Sequence, residues 1–146
     1  MKIKKFLLTV SVVVYLISLS QKTFCTPNGC GYFAGILNLI SGWIGVFMGN
    51  FPAFPWLANP LLFLSWYLFK KQKTNWSFLL SVISFILMLS FLLVDEIIHK
   101  GGSIVSRVLS YQIGYWLWVL SSLIMLTANL MVYKTSIKLN KLVARY

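Results

Sequence analysis

The sequence predicts an all-α membrane protein, a bundle of four spanning helices with an additional glycine-rich interfacial or re-entrant helix after the first span. Three observations predict it. Of the 146 residues 59% are hydrophobic and only 10% charged, and the mean hydropathy is +0.82, which is too apolar for a soluble domain of this length. Most of the 13 basic residues fall in three short clusters, Lys2/Lys4/Lys5, Lys70/Lys71/Lys73 and Lys134/Lys138/Lys141/Arg145. Long apolar runs separate the clusters, and short loops rich in Lys and Arg stay on the cytoplasmic side of a bilayer.

A net charge of +11 points to nucleic acid in a soluble protein, but no basic region here is long enough to form such a binding domain. The charges lie within a few positions of the apolar segments, so they orient the chain and face anionic lipid headgroups, each worth roughly 1 kcal/mol near an anionic leaflet. One membrane domain over residues 1–146 accounts for the whole sequence.

The first span is expected at about 6–20, behind Met1-Lys-Ile-Lys-Lys. Taken alone it looks like a secretory signal, with Ser18 and Ser20 where small residues precede a cleavage site; the expectation is a retained helix running from inside to outside. Gln21 to Gly31 is polar and dense in turn formers, an outer loop. An uncharged apolar segment follows at about 32–48, then the breaker Gly49-Asn-Phe-Pro-Ala-Phe-Pro55 and a second apolar run at about 54–69. If both runs crossed, the basic residues would split eight to five between the two sides; if the pair crosses once, ten lie inside and only Lys22, Lys100 and Arg107 outside. The second arrangement follows the positive-inside rule, so 32–48 is expected to lie in the outer interface or to re-enter. The remaining spans are expected at about 76–94 and 112–133, with both termini cytoplasmic and a moderately polar outer loop between them. Trp56, Tyr115, Trp116 and Trp118 are expected near the outer headgroups, and Trp66, Tyr67, Trp76 and Tyr133 near the inner ones. There is no internal repeat of the kind that marks many secondary transporters.

The sharpest local pattern is a stripe of small residues, Gly31, Gly35, Asn38, Gly42, Gly45 and Gly49, spaced alternately four and three apart. At about 100° per residue they share one face of a helix. A glycine groove admits another backbone closely, which is how small-residue motifs hold membrane helices together. The stripe is expected either to pack on the protein's own spans or to dock a partner helix or lipid chain.

Cys25 and Cys30 enclose Thr-Pro-Asn-Gly, a turn sequence that can bring two sulfurs together on the side where disulfides persist in a bacterium. A loop clip is expected. The alternative is thiol-disulfide chemistry, but that relays electrons between two pairs or to a cofactor, and this chain has two cysteines, with four residues between them rather than the two of the redox motif.

Asp95, Glu96 and His99 are the only acids and the only histidine. A further turn of the third helix would set the two acids beside His99. Glu-x-x-His occurs twice in di-iron bundles and here has no second copy, so surface ion pairs with Lys22, Lys100 or Arg107 are expected rather than a metal site. Asn59-Pro60 is read as a helix break, a kink or a start. Ser77, Ser81 and Ser84 line one face of the third span, and Ser121, Ser122, Met125 and Asn129 one face of the fourth, which fits ordinary bundle packing. No span carries a charge, which lowers the odds of an ion-coupled transporter.

The expected function is that of a small, non-catalytic, multi-pass protein of the bacterial plasma membrane. It would act by helix packing and outer-surface contacts, as an accessory subunit of a complex or an immunity-type protein. No catalytic residues, metal or cofactor are assigned. The partners are the lipid bilayer and another membrane protein or a second copy, not nucleic acid. Two alternatives stand beside it, a thiol-disulfide oxidoreductase using Cys25 and Cys30, and a lipid or small-molecule carrier with a cavity between its spans.

Overall fold

The structure, a computed structural model, describes residues 2–27, 29–30, 34–49, 51–99 and 104–143, with the side chains of Ala34, Ile98, His99, Ile104, Val105 and residues 136–143 outside the description. Helices dominate: α1 Lys2–Ser20, α2 Ala34–Phe47, α3 Ala58–Lys70, α4 Thr74–Ser90 and α5 Ile113–Val143. A 3-10 segment, Phe51–Leu57, leads directly into α3, and another, Phe91–Leu93, extends α4. Four short strands complete the chain, β1 Phe24–Cys25, β2 Glu96–His99, β3 Ile104–Arg107 and β4 Ser110–Tyr111.

Among the described residues three helical stretches are long and apolar enough to cross a membrane, Lys2–Ser20, Thr74–Leu93 and Ile113–Thr135. Helix α3 has 13 residues, about 20 Å at 1.5 Å per residue, and reaches further only with the 3-10 segment ahead of it. Pro60 sits in the first turn of α3, where a missing N–H costs no intrahelical bond. Asn59-Pro60 therefore stands at a helix start.

The bundle is inverted relative to a water-soluble one. Its buried residues include Ser11, Ser18, Ser65, Ser77, Ser81, Ser84, Ser121, Ser122 and Asn129, while Leu16, Ile17, Leu64, Ile86, Leu120 and Met131 are exposed. Helices in hydrocarbon gain nothing from hiding leucine, and they associate through small and hydrogen-bonding residues. That is the distribution seen here, and with the three long apolar helices it marks a membrane-associated protein.

The serines also set the registers. Ser65 and Ser77 exchange reciprocal bonds, each hydroxyl donating to the other's carbonyl at 2.9 Å, and the Ser84 hydroxyl donates to Ala58 O at 2.9 Å, so α3 and α4 run antiparallel. Tyr115 donates to Met88 O at 3.0 Å and Asn129 to Ser81 Oγ at 3.2 Å, which sets α5 antiparallel to α4. Ser11 donates to Ser121 O at 2.7 Å and Trp66 Nε1 donates back to Ser11 Oγ at 3.0 Å, joining α1 to α5 and α3. The start of α1, the α3–α4 turn and the latter part of α5 thus share one end of the bundle, and with them Lys2 to Lys5, Lys70 to Lys73 and Lys134.

At the opposite end the chain between spans is not the loop expected of it. Phe24 and Cys25 pair with Tyr111 and Ser110, flanked by bonds from Leu109 N to Cys25 O, Gln112 N to Thr23 O and Gly114 N to Lys22 O at 2.8 to 2.9 Å. A Cβ on Gly114 would lie 2.6 Å from Lys22 O, so glycine is what lets α5 begin against this strand. The segment after α4 also departs from expectation. The helix does not continue to His99: the backbone turns extended at Val94 (φ −92°, ψ 104°), and Glu96 to His99 pair antiparallel with Ile104 to Arg107. Asp95, Glu96 and His99 therefore do not lie on a further turn of helix.

Candidate functional site

Helix α2 and the 3-10 segment form a roof over the strand-bearing end of the bundle. Beneath it lies a cavity of about 450 Å³, within the range of roughly 300–1,000 Å³ for small-molecule sites. Its floor is Tyr15 and Ser18 from α1, Asn59 from α3, and Tyr115 and Trp118 from α5; Thr23, Phe24, Phe91 and Ile97 close the sides. Among the described residues no charged side chain lines it.

The small-residue stripe faces this space. Gly35, Asn38, Gly42 and Gly45 all line the cavity, and three of them also touch the protein's own chain. A Cβ on Gly35 would lie 2.8 Å from the Leu19 backbone, one on Gly45 2.8 Å from Ala53, and one on Gly42 would fall on the Trp56 indole. The indole is held there by its own N–H, which donates to Leu39 O at 3.0 Å. Gly49 follows the helix with φ +71°, the left-handed conformation that glycine enters without strain. Gly31 lies outside the described residues. The opposite face of α2 is apolar and exposed, with Leu37, Ile40, Trp43 and Phe47 outward.

Asn59 is the hub of the floor. Its Oδ1 accepts from Tyr15 Oη at 2.9 Å and from Trp118 Nε1 at 2.8 Å, and its Nδ2 donates to Trp56 O at 3.0 Å. One amide thereby joins α1, α3, α5 and the roof. Tyr15 is further held by edge contacts with Phe63 and Trp66, ring centroids 5.2 and 5.4 Å away. Several of the aromatics expected near the membrane surfaces face the bundle interior. Tyr115 and Trp118 turn inward because each has a buried oxygen to donate to, and Trp66 does the same at Ser11. Trp116, Tyr67, Trp76 and Tyr133 remain exposed.

Thr23 Oγ1 is buried with no hydrogen-bond partner among the described residues, while the Thr23 backbone is pinned by Gln112 N.

Cys25 and Cys30 form a disulfide with their Cα atoms 4.2 Å apart, and the turn between them is closed by a Thr26–Gly29 bridge. The clip sits beside the β1–β4 pair. Asp95 and Glu96 are exposed at the start of the hairpin, and Glu96 is the direct cross-strand neighbour of Arg107. The side chain of His99 lies outside the described residues. No group of three or more potential metal ligands occurs among those described. Nearby, burial and then the Asp95 carboxylate push the Tyr111 phenol above its ordinary range; its hydroxyl donates to Phe91 O at 2.9 Å.

The sequence alone did not single out Tyr15, Trp118 or Thr23 as site residues. For the first two a signal existed: a tyrosine and a tryptophan set within apolar spans need hydrogen-bond partners once buried. Comparison of the chain with protein-family models, with curated proteins and with solved structures finds no match.

Proposed function

We propose that the chain is a small, non-catalytic, four-span protein of a bacterial plasma membrane with both termini cytoplasmic, serving a larger membrane complex as an accessory subunit or acting as an immunity-type protein. The observation that carries this reading is the two-sided character of α2. Its glycine edge packs on Leu19, Ala53 and Trp56, while Leu37, Ile40, Trp43 and Phe47 stand exposed on the other side, an apolar row available to a neighbouring membrane helix. The buried polar side chains support it too, since Ser11, Asn59, Ser65, Ser77 and Ser84 bond across helices and hold the bundle together. The described basic residues Lys2 to Lys5, Lys70 to Lys73 and Lys134 gather at one end and the disulfide at the other, as expected of a chain with the former inside and the latter outside.

Affinity purification in a gentle detergent tests the reading. The protein is expected to bring a membrane partner with it, and Leu37→Ser with Phe47→Ser to release that partner without loss of the fold. Recovery as a bare monomer, together with unchanged fitness of a deletion strain under toxin challenge, overturns it. The orientation is tested with single cysteines: Lys71→Cys should resist an impermeant maleimide on intact cells and Leu109→Cys should react. A second reading, a carrier of a lipid or small molecule, is favoured by one observation, the uncharged cavity roofed by α2.

A further inference from the structure

We propose that the Ser20–Gln21 peptide bond is a leader-type cleavage site that the docking of α2 and α5 closes, so that only chains in which those helices have not docked are cut there. This rests on the orientation proposed above, which puts the end of α1 on the outer side. The sequence carries each part that such a protease reads. Lys2, Lys4 and Lys5 precede an apolar run from Phe6 to Ile17, and small residues stand at 18 and 20, the third and the first before the bond, as in a secretory leader. Hydrolysis at this place adds one water, leaves a carboxylate on Ser20 and an amine on Gln21, and parts α1 from the rest of the chain.

The fold holds that bond in a form a protease does not accept. A cleft takes its substrate as an extended strand, whereas α1 stays helical through Ser20. Ser18 is 2% exposed; its hydroxyl donates to Tyr15 O at 2.6 Å and that of Ser20 to Ile17 O at 2.8 Å. The nitrogen of the bond itself, Gln21 N, closes the last turn on Ser18 O at 3.2 Å. Both flanks are pinned. Upstream, Tyr15 donates to Asn59 Oδ1 at 2.9 Å, and a Cβ on Gly35 of α2 would lie 2.8 Å from Leu19 Cα. Downstream, Lys22 O accepts from Gly114 N of α5 at 2.8 Å. Drawing Ile17 to Ser20 out from about 1.5 to about 3.3 Å per residue lengthens the segment by roughly 7 Å. One flank must let go first, and the rate of cutting then follows the population of that opened form.

The test expresses the full chain with a C-terminal tag in bacterial membranes and reads its amino terminus by mass spectrometry. The wild type is expected to stay uncut. Gly114→Leu, which drives a side chain onto Lys22 O, and Gly35→Leu, which drives one onto the Leu19 backbone, should each raise the share of chains starting at Gln21 about tenfold, the equivalent of about 1.4 kcal/mol of lost docking. Adding Ser20→Leu, at an exposed position, should abolish that fragment in both, because a leader-type protease needs a small residue there. Quantitative cutting of the wild type at Gln21 overturns the closure. Opened variants that stay uncut, or that vanish without yielding a Gln21 terminus, overturn the site, and so does a cut that survives Ser20→Leu. Leu109→Cys, labelled on intact cells in the wild-type background, separates the two levels: a reactive cysteine with no cut in the opened variants sinks this proposal alone, and an unreactive one sinks the orientation beneath it.

Discussion

Tyr15 and Asn59, 44 residues apart, meet through a buried hydrogen bond of 2.9 Å from the phenol to the amide oxygen, and Trp118 uses that same oxygen at 2.8 Å. Replacing Asn59 with Leu leaves a buried phenol and a part-buried indole N–H unmatched. In soluble proteins each such group costs about 1–3 kcal/mol, whereas hydrogen bonds between membrane helices average nearer 0.6. We expect Asn59→Leu to destabilise by roughly 2 kcal/mol on those scales, read by unfolding in mixed micelles. Adding Tyr15→Phe and Trp118→Phe should recover part of the loss, since removing both sides of a hydrogen bond costs less than orphaning one. A triple variant that loses further stability in proportion would show that the amide is not the linchpin.

Gly42→Ala should destabilise more than Gly49→Ala. The first places a methyl where the Trp56 indole lies and displaces the bond from Trp56 to Leu39 O, an overpacking cost of about 1–3 kcal/mol. The second meets open space and suffers only from φ +71°, about 1 kcal/mol. Thermal midpoints of the two variants in one detergent decide the order.

Serine at Cys25 and Cys30 tests the clip against redox chemistry. Closing so short a loop contributes about 2 kcal/mol on the chain-entropy estimate. The double variant should lose about that much stability, and no electron transfer from a dithiol to a quinone should disappear with it. A turnover that vanishes with the cysteines would favour the oxidoreductase instead.

Raising the pH should weaken the strand-bearing end through Tyr111. Burial and Asp95 raise its phenol in the folded chain, so the folded state favours the neutral form. That contribution is full below the unfolded value of about 10 and is lost as pH rises from there through the folded value. Tyr111→Phe should be less stable at neutral pH, having lost the bond to Phe91 O, and should show a shallower decline in alkali. Parallel slopes for the two proteins would contradict this.

The long apolar helices were legible because twenty uncharged residues have few other uses, and the serine faces of α4 and α5 because helical spacing puts Ser77, Ser81 and Ser84 on one side. What those faces touch was not legible. Periodicity identifies a face and not its partner, so the glycine stripe left open whether it would meet the protein's own chain. Asn59 was read through its neighbour proline as a punctuation mark, whereas its amide is the central junction of the bundle. An amphipathic ring such as Trp118 or Tyr115 suits an interface and a buried acceptor alike, so periodicity alone does not show that these two bond inward. The acceptors, Asn59 Oδ1 and Met88 O, come from other helices. Strands of two residues, such as β1 and β4, are too short to carry any alternation.

The partnership of α1 with α5 has a consequence for biogenesis. The Ser11–Ser121 bond spans 110 residues, and the strand beside the disulfide finds its mate only in residues 110 and 111. A ribosome delivers α1 first and α5 last, so the earliest helix to enter the membrane waits through the synthesis of all the others before its principal neighbour exists. Chains halted before Ile113 would leave the Ser11 hydroxyl without Ser121 O to donate to, and the first strand without its mate, until the last helix arrives.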